Sequence, residues 1–439
     1  MADAALRARG LTMLTGSQVR SVAVLGGVRI PFARGMGAYA DVGNQEMLTA
    51  TLAGVVDRFG LGGQRLGEVA AGAVIKHSSQ WNLARESALG CGLAPETPAL
   101  DLQRACGTSL EAAILVGNKI ALGQIDAGIA AGVDSTSDVP VVYPRAYQRL
   151  LLASARGRTL AARMRPWLGL RPAHFRPVVP SVIEPRTGLS MGQSCELMAK
   201  AWGITRAAQD DLALESHRRA AAAYATGFYR DLVIPYHGLA ADNNVRADTS
   251  LERLARLAPA FAHDGTGTLT AGNSTPLTDG AAAVLLASDA WARARELPVL
   301  AHLRYAKAHA VDFVGHDGLL MAPAFAVPMM LKDAGLTLAD FDFYEIHEAF
   351  AAQVLCTLAA WESAEFCRDR LGLAAPLGAI DRRKLNVAGS SLALGHPFAA
   401  TGARIVGTLA KLLAERGGRR GLISVCTAGG MGVTAILER

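Results

Sequence analysis

Three side chains able to do covalent or proton-transfer chemistry sit on glycine-rich corners of this sequence. Cys106 lies in Gln103-Arg104-Ala105-Cys106-Gly107-Thr108-Ser109-Leu110, where an apolar approach and a Cys-Gly corner lead into a helical run from Leu110 to Ala121. Unpaired backbone N–H groups and the positive end of a helix dipole favour a thiolate, so this thiol is expected below its ordinary pKa of about 8.5. His396 lies in the small-residue loop from Asn386 to Gly402, between Gly395 and Pro397, ahead of a helical run from Ala403 to Ala414. Cys426 follows an apolar strand, Gly421 to Val425, and enters a turn through Gly429, Gly430 and Gly432. Glycines at this density let the backbone approach a ligand and aim N–H groups at it. Each segment also has a simpler reading, because a lone cysteine is most often a small buried residue, Gly-Ser turns are common, and His396 fits a hydrogen-bonded core. That reading leaves unexplained why three reactive groups each sit where an apolar strand or helix meets a glycine corner.

The elements that must hold these groups come in two similar sets. Cys106-Gly107-Thr108-Ser109 leads to an apolar helix, then Gly123, then a strand from Ala127 to Ala131 ending at Gly132. Ala399-Ala400-Thr401-Gly402 leads to a helix, then Gly417-Gly418, then the strand from Gly421 to Val425. Apolar strands alternating with Ala-rich helices imply α/β layers built on mixed sheets. Between the halves lie an arginine-rich stretch and further helices, such as Arg206 to Thr226.

Length and composition set the remaining bounds. With 439 residues, 51% of them apolar, the chain has material for two or three cores. It has no apolar run of about eighteen residues, the length a membrane-spanning helix needs. The first twenty residues carry Arg7, Arg9 and Arg20 against one acid, Asp3, without a signal-peptide core, and read as a flexible extension. The six cysteines (Cys91, Cys106, Cys195, Cys356, Cys367, Cys426) form no CxxC pair and no metal-ligand spacing, so free thiols, a reducing compartment, a cytoplasmic enzyme and no metal are expected. Net charge is +6, and between Asp138 and Glu184 eight arginines from Arg145 to Arg176 accumulate without one acid. Such a run suits an anion, whether nucleotide phosphates, lipid head groups or an acidic partner face, or else a solvated loop. The accompanying Tyr143, Tyr147, Trp167 and Phe175 are too sparse for a nucleic-acid stacking platform, so no nucleic-acid partner is expected.

Seven segments together carry a resemblance. They are the Cys106 segment, Gly132-Val133-Asp134-Ser135-Thr136-Ser137, Ser190-Met191-Gly192, the run Thr270 to Ala282, His347-Glu348-Ala349-Phe350, Gly395-His396-Pro397, and Cys426 to Gly432. In this order they resemble the thiolases, the acyl-CoA:acetyl-CoA C-acyltransferases, over essentially the whole chain. The resemblance implies a duplicated, five-layered αβαβα core of α/β class. It also implies an N-terminal domain over residues 20–288, with a CoA-binding loop domain inserted at about 139–257, and a C-terminal domain over 289–439. Coenzyme A would be a substrate, with no permanently bound cofactor, and the chain a homodimer or homotetramer. The resemblance also leaves open a hydratase/dehydrogenase partner subunit and peripheral membrane contact.

The family chemistry is a Claisen condensation and its reverse. The resemblance assigns Cys106 as the nucleophile that carries the acyl group, His396 as the group that takes its proton, and Cys426 as the acid/base at the α-carbon. Backbone N–H groups at Cys106 and after Cys426 would form one oxyanion site; His396 and a water held by His347 would form a second. Asn273, Ser274 and Thr275 match the loop along the pantetheine arm, and Met191 and Phe350 are expected to line the acyl tunnel. Two positions depart from the commonest pattern. Histidine stands at 347 where asparagine is usual, which is similar to the thiolase subunits of trifunctional β-oxidation complexes and their bacterial relatives and points to degradation of 3-ketoacyl-CoA. Ala428 replaces a glycine, which is harmless if its φ is negative and costs roughly 1 kcal/mol or more if it is positive. The alternatives are a biosynthetic acetyl-CoA acetyltransferase, a decarboxylating ketoacyl synthase, which would lack Cys426, and a non-catalytic lipid-binding or scaffold relative, which would have lost a reacting residue.

Overall fold

Period-two alternation along the strands sets the layering. The computed structural model describes residues 19–179 and 182–439, so all of the expected N-terminal extension except Val19 lies outside the described residues. Ten strands form: β1 Val22–Arg29, β2 Ala33–Arg34, β3 Glu68–Ala71, β4 Ala99–Asp101, β5 Ala127–Asp134, β6 Thr278–Ser288, β7 Ala301–Ala310, β8 Phe343–Ile346, β9 Arg420–Thr427 and β10 Met431–Glu438. Their order is β4-β3-β5-β6-β1-β7-β10-β9-β8, with β2 against β6. Read outward from the centre, β1-β6-β5-β3 mirrors β7-β10-β9-β8. In both halves the outer pairs are parallel and the inner ones antiparallel. The half-sheets meet edge to edge through two residue pairs, Ala23 with His302 and Val24 with Ala301.

Alternate side chains of each strand enter different cores. In β1, β5 and β6, Ala23, Leu25, Ile129, Val133 and Leu285 face helices Asn44–Phe59 and Leu83–Gly90. Their neighbours Val24, Ala130, Val284 and Leu286 face a central pair of helices, Thr108–Ala121 and Thr401–Arg416. From the other half, Ile423, Val425, Val433 and Ala435 enter this same central core, while Leu422 and Ile436 face helices Ala322–Ala334 and Ala351–Glu362. Five layers result, αβαβα, with two helices sandwiched in the middle. Gly402 permits their contact: a Cβ there would lie 2.2 Å from the Leu110 nitrogen. Two elements run past their apolar stretches in the sequence, β5 to Asp134 and the second central helix from Thr401 to Arg416.

The chain leaves the core after β5 and returns at β6. In between lie helices Arg145–Ala155, Leu160–Met164, Met191–Ala201, Arg206–Ala225 and Leu251–Ala255. In the arginine-rich part, Tyr147 packs against Tyr143, Trp167, His174 and Phe175, so its few aromatics hold the segment to itself. No described helix is long and apolar enough to cross a membrane.

Candidate active site

Cys106 sits one residue before the N-cap Gly107 of the first central helix. Ala105 adopts φ 43°, a left-handed conformation that an alanine takes up only under strain, and the turn is locked by the Thr108 hydroxyl. That hydroxyl donates to the Ala105 carbonyl (2.7 Å) and accepts from the Arg104 N–H (2.9 Å). His396 is brought up from the other half. Gly395, at φ 102°, turns the loop, and the His396 N–H then donates to Thr278 Oγ1 (2.7 Å) at the start of β6. Two bonds clamp the halves here: the Ala399 N–H donates to Asp134 Oδ2 (2.8 Å), and the Ala403 N–H donates to Ser109 Oγ (2.8 Å).

The outcome is a Cys106 Sγ to His396 Nε2 distance of 3.1 Å. His396 Nδ1 lies 2.6 Å from Thr401 Oγ1, which orients the ring. Burial pushes His396 down to about 3, with the Arg404 charge adding to the effect, so the imidazole is neutral and able to accept the thiol proton. Contrary to the expectation from the helix start, the Cys106 thiol is not acidified. Burial pushes it up to about 12, outweighing the opposing pull of the Ala428 and Cys106 backbones. The resting pair is therefore thiol and neutral imidazole, and the proton moves as the sulfur attacks. The Ala428 and Cys106 N–H groups remain beside the sulfur to receive an oxyanion.

Ala428 resolves the question its substitution raised. Positive φ occurs among the described non-glycine residues at Met36, Ala105, His237, Glu296 and Asn386, so Ala428 is outside that region. The turn's left-handed positions are Gly429 (74°) and Gly430 (67°). Cys426 lies in β9 opposite Gly432, is 1% exposed, and is held well above an ordinary thiol by burial, with Cys106 close enough to raise it further. Its surroundings are apolar and include Phe350, Cys195, Cys356 and Met198, with Met191 packed against them.

His347 follows β8 and lies against His396, with ring centroids 4.1 Å apart and the ring planes tilted by 48°. Its Nδ1 lies 2.8 Å from Ser391 Oγ, while its Nε2 is buried without a partner. Burial, and after it His396 and Arg404, hold it well below the usual histidine range, so it is neutral. Cys106, His347 and His396 place one donor atom each within 4.8 Å of one another.

The side chains of Asn273 and Thr275 bond within the protein. Asn273 accepts from the Thr270 N–H (2.7 Å) and donates to Asp210 Oδ1 (2.9 Å) and the Thr268 carbonyl (3.2 Å), so its amide braces its own loop. Thr275 donates to the Ser391 carbonyl (2.7 Å). Ser274 differs: its hydroxyl is buried and unpartnered, and it lines a cleft of about 360 Å³ with Arg34, His217, Arg246, Arg253 and Leu392. Sequence reasoning missed Ser391, Thr401 and Arg404, which hold the two histidines.

The site can therefore form and cleave a thioester on Cys106 with a neutral base at hand and N–H donors around the carbonyl. Comparison with known proteins agrees. Residues 22–290 match the model of the thiolase N-terminal domain, and residues 297–439 that of the thiolase C-terminal domain. A 3-ketoacyl-CoA thiolase of Pectobacterium atrosepticum is 43% identical over 424 residues, 95% of this chain and 96% of that one; one of Yersinia pestis is 41% identical over 423 residues, with the same coverage. Among solved structures, the Bacillus anthracis acetyl-CoA acetyltransferase is 30% identical with a TM-score of 0.80, and human mitochondrial 3-ketoacyl-CoA thiolase 27% identical with a TM-score of 0.78. Each comparison covers 96% of this chain and 100% of the other. The chain belongs to the thiolase family.

Proposed function

We propose that this thiolase cleaves 3-ketoacyl-CoA with coenzyme A, giving acetyl-CoA and an acyl-CoA shortened by two carbons, as a cytoplasmic step of fatty acid β-oxidation. The observation that carries the reading is the Cys106–His396 pair at 3.1 Å, with the Ala428 and Cys106 N–H groups beside the sulfur and Cys426 next to it. Cys106 attacks the ketone carbonyl as His396 takes its proton. The collapsing tetrahedral adduct expels the acetyl-CoA carbanion, which Cys426 protonates, and CoA then accepts the acyl group from sulfur. The arginine-lined cleft beside Ser274 takes the phosphates of CoA, and the apolar cluster around Met191 and Phe350 takes the acyl chain. CoA-dependent loss of 3-ketoacyl-CoA, measured over increasing chain lengths, tests this directly. Saturable turnover is expected on several lengths, and its complete absence would remove the proposal.

The arginine-rich segment belongs to the same reading as an anion-facing surface. Among the described residues its eight arginines form no ion pair, and Leu160 (78% exposed) and Leu168 (89%) stand beside them in water. Since Arg34, Arg246 and Arg253 already serve the cleft, the segment is free to meet an anionic membrane or partner face. Replacing Arg156, Arg158, Arg163 and Arg165 by glutamine is expected to reduce co-sedimentation with anionic liposomes at low salt, each charge contributing about 1 kcal/mol near such a surface. The difference should fade as salt is added. Equal sedimentation of both proteins at low salt would mark the segment as a solvated loop.

A further inference from the structure

Arg404 is an expensive residue to have at the centre of the molecule. Its side chain and that of Glu345 are both fully buried, yet they approach only to 3.8 Å, and both Glu345 oxygens and Arg404 Nε have no hydrogen-bond partner. A buried guanidinium without a bonded carboxylate costs several kcal/mol, so its remaining bonds are informative. They run to Ser391 Oγ (2.8 Å) and Ser390 Oγ (3.3 Å). Arginine only donates, so Ser391 Oγ is an acceptor towards it. The Ser391 hydroxyl proton then needs its own acceptor, and among the described residues the one within reach is His347 Nδ1, at 2.8 Å.

This chain of donors fixes the tautomer of the neutral His347 ring. If Ser391 donates to Nδ1, the neutral ring carries its hydrogen on Nε2, the buried and unpartnered atom of a ring whose centroid lies 4.1 Å from that of His396. We propose that Arg404 and Ser391 are positioning residues that hold His347 as the Nε2–H tautomer, so that it offers a hydrogen-bond donor to the thioester oxygen or to a water bound there. Thr275 supports this by fixing the Ser391 backbone. The opposite tautomer would present a lone pair to the oxyanion. It would also draw the proton of a charged His396 away from substrate. Histidine can thus serve as a neutral donor only if something at its far nitrogen sets the tautomer.

The inference rests on the thiolase reading of the site, but its main test needs no substrate. In enzyme carrying 15N-labelled histidine, one of ten ring systems disappears from the nitrogen spectrum in His347→Asn and identifies the His347 signals. The wild-type protein should show Nε2 protonated and Nδ1 bare at pH 7. A protonated Nδ1 overturns the proposal and leaves the thiolase reading untouched, whereas an inactive enzyme with the expected tautomer counts against the activity alone. Ser391→Ala should lower kcat by about tenfold to 10²-fold, approaching the loss of one preorganised donor, with KM for CoA within about twofold. A folded Ser391→Ala protein with wild-type kcat, or one whose loss lies entirely in KM, also overturns it.

Discussion

Cys106→Ala is expected to abolish thiolysis, with kcat falling on the order of 10⁴-fold or more, the scale seen when a covalent nucleophile is removed from an otherwise intact site. That is a loss of roughly 5 kcal/mol of transition-state stabilisation. The reason is geometric. His396 Nε2 lies 3.1 Å from this one sulfur, and the other buried thiols lack such a base: the Cys91 and Cys367 sulfurs approach backbone carbonyls at 3.2 to 3.6 Å, and Cys195 and Cys356 sit in an apolar cluster. Stability should change little, since Cys106 is a small side chain and alanine removes one atom from the central core. After brief incubation with acetoacetyl-CoA, mass spectrometry should find an acetyl group on the peptide containing Cys106 in wild-type protein and none in the variant. An acetyl group reproducibly on another cysteine would transfer the nucleophile there and undo the assignment.

Where the sequence was legible, the information was local. Glycine corners next to apolar runs marked Cys106, His396 and Cys426, and the repeated helix-to-strand order disclosed the duplicated halves. Burial was not local, and it decided the protonation states. The helix start argued for an acidic Cys106, but the sulfur is enclosed by the opposite half of the molecule, which no window around residue 106 contains. The same blindness hid Arg404. Thr401, Arg404, Thr408 and Lys411 recur at helical spacing, a polar pattern that on most helices faces water. In the central layer there is no solvent side, and all four are under 7% exposed. Asn273, Ser274 and Thr275 all match one family loop, and only the folded chain sets them apart: Asn273 bonds to Asp210 and Thr275 to the Ser391 carbonyl, whereas the Ser274 hydroxyl is the one of the three without a partner. The two-pair junction of β1 with β7 joins residues nearly three hundred positions apart and leaves no mark in either segment.

Cys426→Ser should separate the two half-reactions. Acylation of Cys106 requires His396 and the N–H groups of Ala428 and Cys106, none of which the substitution touches. Proton exchange at the α-carbon requires a base beside that carbon. A thiol serves there because its pKa, though raised by burial in this apolar cluster, still lies far below that of an alcohol in the same place. Serine keeps the shape and approximate volume, so the β9–β10 register around Gly432 is preserved while the base is lost. Transfer of a preformed acetyl group from Cys106 to CoA should therefore persist, while condensation and complete thiolytic turnover fall by about 10²- to 10⁴-fold, the usual contribution of a positioned acid/base. Exchange of acetyl-CoA α-protons with deuterated water, followed by mass spectrometry, isolates the step. Wild-type protein should incorporate deuterium and the serine variant should not. Normal exchange in a variant that has lost turnover would move the α-carbon base to another residue, and His347 or His396 would be the group to examine.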